Sequence, residues 1–326
     1  MLANEASGLD YYRQFYCHHT LTGHQGSIYA ITVSQQRPIA WSWGLDEKLY
    51  RWNLETGERQ LALENLKGIQ HLCVTPDEQK IIGCSWDTPT QIWDLNTGEL
   101  LHQLYPSCPE TLSRASSPEL QDIANSIAVH PSGQWLATGG WDQQIRLWDI
   151  ESGQCLASWA GHSGDINAVI FAEEGNYLLS ASWDCTIRCW DLSLGDCVKV
   201  IKSQSQPFEK IVITPEGQEV IATSKRKTLT FWPLNKNRCR KTVRGHSKEI
   251  VALMMTPDGE TVITASWDET IRFWDRLTGD CFHTCHEHEG RIWAAALTPD
   301  GQYLVTGGQD QQLRVWRSKT GGNIEK

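Results

Sequence analysis

A tryptophan that returns at an almost fixed interval constrains this chain more than any other feature. Trp52, Trp93, Trp148, Trp190, Trp232, Trp274 and Trp316 follow one another at spacings of 41, 55 and then four times 42 residues. Around each of them apolar and polar residues alternate, as in Ile271, Arg272, Phe273 and Trp274. That period of two is the signature of a strand with two different faces. Self-similarity at about 40 residues marks a repeat architecture, in which each unit packs only on its neighbours. By length alone the 326 residues would suggest two domains, but repeat packing evades that expectation.

The punctuation repeats too. Five residues after the Trp stands Gly57, Gly98, Gly153, Gly195, Gly279 or Gly321, with Asn237 in the fifth unit. A tight turn with positive φ explains Gly there, and Asn is its cheapest replacement. A second turn begins at Thr75, Thr214, Thr256 and Thr298, each followed by Pro and an acid. A third carries an acid six residues before the Trp: Asp46, Asp87, Asp142, Asp184, Asp268 and Asp310. Three turns separate four short strands per unit.

With the Gly-His pairs at His24, His162 and His246, and the Trp-Asp pairs at Trp93, Trp148, Trp190 and Trp274, the chain resembles the WD-repeat family over residues 14–321. The resemblance implies an all-β fold: one seven-bladed propeller of four-stranded blades around a channel. The last repeat supplies only three strands, so residues 14–21 are expected to add the fourth and close the ring. Residues 1–13 and 322–326 are expected as tails. A Ser- and Pro-rich insertion at 105–122, between the second and third repeats, is either a tolerated excursion or a lid.

The resemblance also implies buried networks of His, hydroxyl, Asp and Trp. By alignment these are His24, Ser42, Asp46 and Trp52; His162, Ser180, Asp184 and Trp190; His246, Thr264, Asp268 and Trp274; and His288, Thr306, Asp310 and Trp316. Ser, His and Asp also spell a hydrolase triad. Four copies at equivalent positions, two of them with Thr, are instead what a scaffold needs, and no enzyme is expected. Unit two lacks the His and has Gly83 for the hydroxyl; unit three keeps Thr138 and Asp142 but not the His. Unit five has Gln204, Ala222, Arg226 and Pro233 where the His, the hydroxyl, the Asp and the last acid belong.

A formal charge of −10 opposes nucleic acid as a main partner, because phosphate binding needs a basic face. No apolar run reaches the roughly 20 residues of a membrane span, and the first fifteen residues do not read as a secretory signal. The 11 cysteines are odd in number, and Cys155, Cys197, Cys239 and Cys281 recur 42 residues apart. They are read as structural thiols in a reducing, cytoplasmic setting. Cys281, His283, Cys285, His286 and His288 suggest a metal, but two of them are already repeat positions, so no metal or cofactor is expected.

The residue before the turn Asp should point to the rim that the Gly-His loops share. It reads Leu45, Trp86, Trp141, Trp183, Lys225, Trp267 and Gln309. A second rim set includes Tyr29, Asn125, Asn167, Glu209 and Trp293, with Arg291 nearby. In the family these two sets resemble the positions that contact partners. Exposed aromatics mark interaction sites and dominate interface energetics. The expected function is a non-catalytic scaffold, monomeric outside its complex, that binds a protein or peptide through Tyr29, Trp86, Trp141, Asn167, Trp183, Lys225, Trp267, Arg291 and Trp293. The competing reading is a small-ligand or glycan receptor on the same tryptophan-lined face.

Overall fold

A computed structural model describes residues 15–85, 88–105, 124–203, 206–236 and 238–318. Both expected tails, Trp86, and the 105–122 insertion apart from Tyr105 lie outside the described residues. Among the described residues the alternating segments form 28 strands, which pair into seven four-stranded sheets, with one 3-10 turn at Glu173–Gly175. In the first blade Ile28–Val33, Ile39–Gly44, Leu49–Asn53 and Arg59–Leu63 follow in chain order from the inner strand outwards. Inner strands of successive blades are neighbours, and Ile292–Leu297 of the last touches Ile28–Val33 of the first. The fold is a closed, all-β, seven-bladed propeller.

Closure comes from the N-terminus. Phe15–Thr22 pairs antiparallel with Gln312–Ser318, with Leu21 opposite Leu313 and Tyr16 opposite Arg317. That sheet runs Phe15–Thr22, Gln312–Ser318, Tyr303–Gly308, Ile292–Leu297. The pairing satisfies backbone groups that would otherwise form an open edge. Phe15 also stacks on Phe273 of the sixth blade at 5.1 Å.

The core lies between blades. Ile28, Ile31 and Val33 of the first pack against Val305, Leu313 and Val315 of the last. Each such side chain contributes about 1.5–3 kcal/mol when fully buried. Close approach at this seam requires Gly307, where a Cβ would stand 2.7 Å from Ile28 Cγ2. Strands facing neighbours on both sides, such as Thr261–Ser266, are buried throughout, whereas the outer strand Asp196–Lys202 alternates.

The 42-residue cysteine period has a local cause. In blades two, three, four and six the outer ladder slips by a residue opposite the repeat tryptophan; in the last three a cysteine faces it, Cys155 at Trp148, Cys197 at Trp190 and Cys281 at Trp274, and in the second blade Leu100 faces Trp93. Each thiol donates to the carbonyl two residues on, at 3.5, 3.4 and 3.4 Å. Cys239 does the same to Lys241 O at 2.9 Å. In blades three, four and six the small thiol thus sits at the irregularity and donates to a carbonyl of its own strand. All ten described cysteines are thiols outside any disulfide.

Candidate functional site

The rim is held from below by the polar networks. In the fourth blade Trp190 Nε1 donates to Ser180 Oγ at 2.9 Å, Ser180 Oγ meets His162 Nε2 at 2.7 Å, and His162 Nδ1 meets Asp184 Oδ2 at 2.8 Å. Indole N–H can only donate, so the proton order runs Trp to Ser, Ser to His and His to Asp, with the His proton on Nδ1. The Ser163 backbone N–H donates to Asp184 as well, at 3.1 Å. One carboxylate therefore ties the Gly-His loop to the turn.

The same chain links His24, Ser42, Asp46 and Trp52 in the first blade, with the indole at 2.8 Å from Ser42 Oγ. His246, Thr264, Asp268 and Trp274 form it in the sixth, and His288, Thr306, Asp310 and Trp316 in the seventh. Arg314 adds an ion pair to Asp310. Ser42, Ser180, Thr264 and Thr306 are fully buried.

Burial pushes His162 and His24 below the usual histidine range against the pull of Asp184 and Asp46. Burial alone would raise the Asp184 carboxyl, but hydrogen bonds from Thr186, His162 and the Ser163 backbone outweigh it and hold it low. Neutral imidazole and ionised carboxylate are the resting forms in these two blades.

The incomplete units substitute. In the third blade Trp148 still donates to Thr138 Oγ1 at 3.0 Å, while Asp142 pairs with Arg146 at 2.6 Å instead of a histidine. In the fifth, Trp232 donates to Thr230 Oγ1 on its own strand, at 2.9 Å. Gln206 Oε1 accepts from Ser224 and Thr228 hydroxyls at 2.8 and 2.9 Å. Arg226, at the Asp position, is exposed.

The rim residues form two clusters and an outlier. Tyr29 and Trp293 stack at 4.7 Å and 17°, and Trp267 meets Trp293 edge-on at 5.1 Å. Arg291 lies over Trp267 at 5.3 Å from the ring centroid. These three rings are half-buried across blades seven, one and six, and the indole N–H groups of Trp267 and Trp293 are buried with no acceptor among the described residues. The second cluster spans blades four and five. Lys225 Nζ sits 3.7 Å above the Trp183 ring, and Trp183 Nε1 donates to Glu209 Oε1 at 3.2 Å. Burial raises the Glu209 carboxyl, opposed chiefly by Lys225. Trp141, on blade three, stands apart; it is 41% exposed and Trp183 is 43% exposed.

Asn167 sits differently. It is buried, accepts from Asn125 Nδ2 at 3.0 Å and donates to Phe208 O at 2.8 Å. Its amide joins blades three, four and five rather than facing outwards, because both its donor and its acceptor side are already occupied. Trp86 lies outside the described residues.

Among the described residues no three His, Cys, Asp or Glu side chains group as metal ligands. Of the cysteine–histidine run, Cys285 Sγ meets only His283 Nε2, at 3.3 Å, and His288 is held in its blade network. No helix among the described residues is long and apolar enough to cross a membrane.

The family model of the IFT122 first beta-propeller matches residues 123–326, more than half of the chain. Over 128 residues the chain is 30% identical to "Small ribosomal subunit protein RACK1" of Drosophila melanogaster, a match covering 39% of each protein. It is 28% identical over 131 residues to "U3 snoRNP-associated protein-like YAOH" of Oryza sativa subsp. japonica, covering 39% of this chain and 25% of that protein. It is 25% identical over 150 residues to "Cilia- and flagella-associated protein 52" of Chlamydomonas reinhardtii, covering 46% and 22%. The matches thus span well under half of each relative's own length. With seven tryptophan-centred blades closed by the N-terminal strand, and with this match, the chain belongs to the WD-repeat propellers, in the family of the IFT122 first beta-propeller.

Proposed function

We propose that this propeller is a non-catalytic scaffold that binds a protein or peptide on the aromatic rim. The observation that carries the reading is the exposure of Trp141 and Trp183, the latter above the buried hydrogen-bond network of blade four. A large ring held in place loses little entropy on docking, which is why such residues anchor interfaces. Lys225 offers an acidic partner residue a fixed charge beside Trp183. The names of two relatives, a small ribosomal subunit protein and a U3 snoRNP-associated protein, place those proteins in assemblies.

The rim geometry favours a polypeptide over a stacked sugar or quaternary ammonium. Lys225 already occupies one face of Trp183, and Tyr29 and Trp293 cover each other's faces. The triad-like hydroxyls are sealed inside the blades, which supports a scaffold over a hydrolase. The thiol state of the described cysteines supports a reducing, cytoplasmic setting.

Photo-crosslinking groups placed at Trp141 and Trp183, and separately at Pro215 and Pro257 on the turns at the other end of the blades, test the reading in native extract. Adducts with a common protein only from the first pair are expected. Adducts only from the second pair would move the interface to the opposite face.

A further inference from the structure

One register position of the inner strands is small in five blades. Ala30, Ser126, Ala168, Ala252 and Ala294 occupy it, opposite Trp43, Gly139, Ala181, Ala265 and Gly307. Blades two and five depart from this. His71 stands opposite Cys84, and Lys210 is held beside Thr223 by a 3.1 Å bond from its backbone N–H. The two long side chains meet across the channel, the Lys210 ammonium donating to His71 Nε2 at 3.4 Å. They come from two of the blades that lack the His–hydroxyl–Asp network.

Both border a cavity of about 200 Å³ whose rim side is lined by Tyr29, Gln70, Val251 and Trp293. An ammonium carries three N–H donors, and one is accounted for among the described residues. Burial, then the neighbouring lysine, holds His71 well below the usual histidine range, so it is the neutral acceptor in this bond. The Trp293 indole is a buried donor without an acceptor among the described residues. Burial pulls the Lys210 ammonium below the usual lysine value, opposed through space by Glu209, Cys84 and Glu249, which favour its charged form. Glu209 is engaged by Trp183 and Lys225. The cavity is therefore rich in donors around one cation.

We propose that this channel cavity binds a single carboxylate, held by the Lys210 ammonium and bordered by His71 and Trp293. The site rests on the rim reading where the carboxylate is an acidic side chain of the docked polypeptide. A free small carboxylate has the same chemistry. On binding, the anion competes with His71 for the ammonium and draws a proton to the imidazole. Lys210 from blade five faces that imidazole, Cys84 stands opposite His71 on the strand behind it, and Glu209 and Glu249 act on Lys210.

The test is NMR of the His71 imidazole in the full chain, assigned with His71→Gln. The probes are sodium acetate against sodium chloride at matched ionic strength, then a blocked glycine-rich peptide with one glutamate, and its glutamine counterpart. Acetate is expected to shift His71 saturably and raise its apparent pKa by about one unit or more. Lys210→Met should abolish the shift and Lys210→Arg should keep part of it, with melting curves confirming that both fold. A glutamate peptide binding about tenfold tighter than acetate assigns the site to a polypeptide side chain; equal binding assigns it to a free carboxylate. No saturable shift with either probe, or an equal shift in a folded Lys210→Met variant, overturns the proposal. The acetate arm needs no partner, so its failure leaves the rim reading standing, and failure of the rim reading leaves acetate binding standing.

Discussion

Trp232 donates its indole N–H to Thr230 Oγ1, two residues back on its own strand, at 2.9 Å, whereas Trp190 donates to Ser180 on the neighbouring strand at the same distance. The fifth blade keeps its ring placement with a different hydroxyl. Thr230→Val should therefore cost about 1–3 kcal/mol, the usual cost of leaving one buried donor without a partner. Asp184→Ala should cost a similar amount, and Arg226→Ala, at an exposed side chain, close to nothing. Denaturant melts of the three variants check the order. An Arg226→Ala cost equal to the others would contradict the substituted network.

Acid should weaken the ring before the carboxylates titrate. His24, His162 and His71 have folded values below the ordinary histidine value of about 6.5. A depressed folded value gives stability that is complete above the unfolded value and is lost as pH falls through the folded one. Asp46 and Asp184 are also depressed, so their contribution is present above the ordinary carboxylate range and fades below it. Melting temperature at constant ionic strength should start to fall below about pH 6.5 and fall again in the carboxylate range. A melting temperature that rises on acidification from neutral would contradict the neutral-imidazole assignment.

Thiol reactivity should divide by location. Burial pushes the Cys73, Cys84 and Cys285 thiols up to about 12. Cys155 and Cys281 are exposed. Brief alkylation of the folded chain at about pH 8, read by peptide mass mapping, should label Cys155 and Cys281 well before Cys84, since the thiolate is the reactive form. Equal labelling would mean the blades open on that timescale.

Removing Phe15–Thr22 should expose the edge of Gln312–Ser318 and strip Phe15 from Phe273. The truncated protein should melt lower and associate through the open edge. Unchanged melting, with a monomer in light scattering, would show that the ring holds without this strand.

The fold was legible because period and punctuation agree: a strand alternation around each Trp and a Gly at the same offset leave few alternatives to stacked four-stranded units. The ring closure was legible from counting strands. The substitution in blade five was harder to see. The signal was Thr230 at a position where four other units carry Arg146, Arg188, Arg272 and Arg314, but a hydroxyl in a strand has many uses. Asn167 was expected at the partner surface from its offset alone, and offset does not reveal that a neighbouring blade's carbonyl, Phe208 O, reaches it. The Lys210–His71 contact joins residues 139 apart. Only the closed ring brings blades two and five face to face.

The exposed pair Trp141 and Trp183 carries the central claim, and the affinity of the purified chain for its crosslinked partner tests it most directly. Replacing both with Ala should remove about 2 kcal/mol or more of binding, roughly thirtyfold in Kd. It should leave the denaturant midpoint near that of the parent, well above that of Asp184→Ala. A double variant that binds with the parent's affinity would contradict the account, and so would one that loses binding only because it is as destabilised as Asp184→Ala.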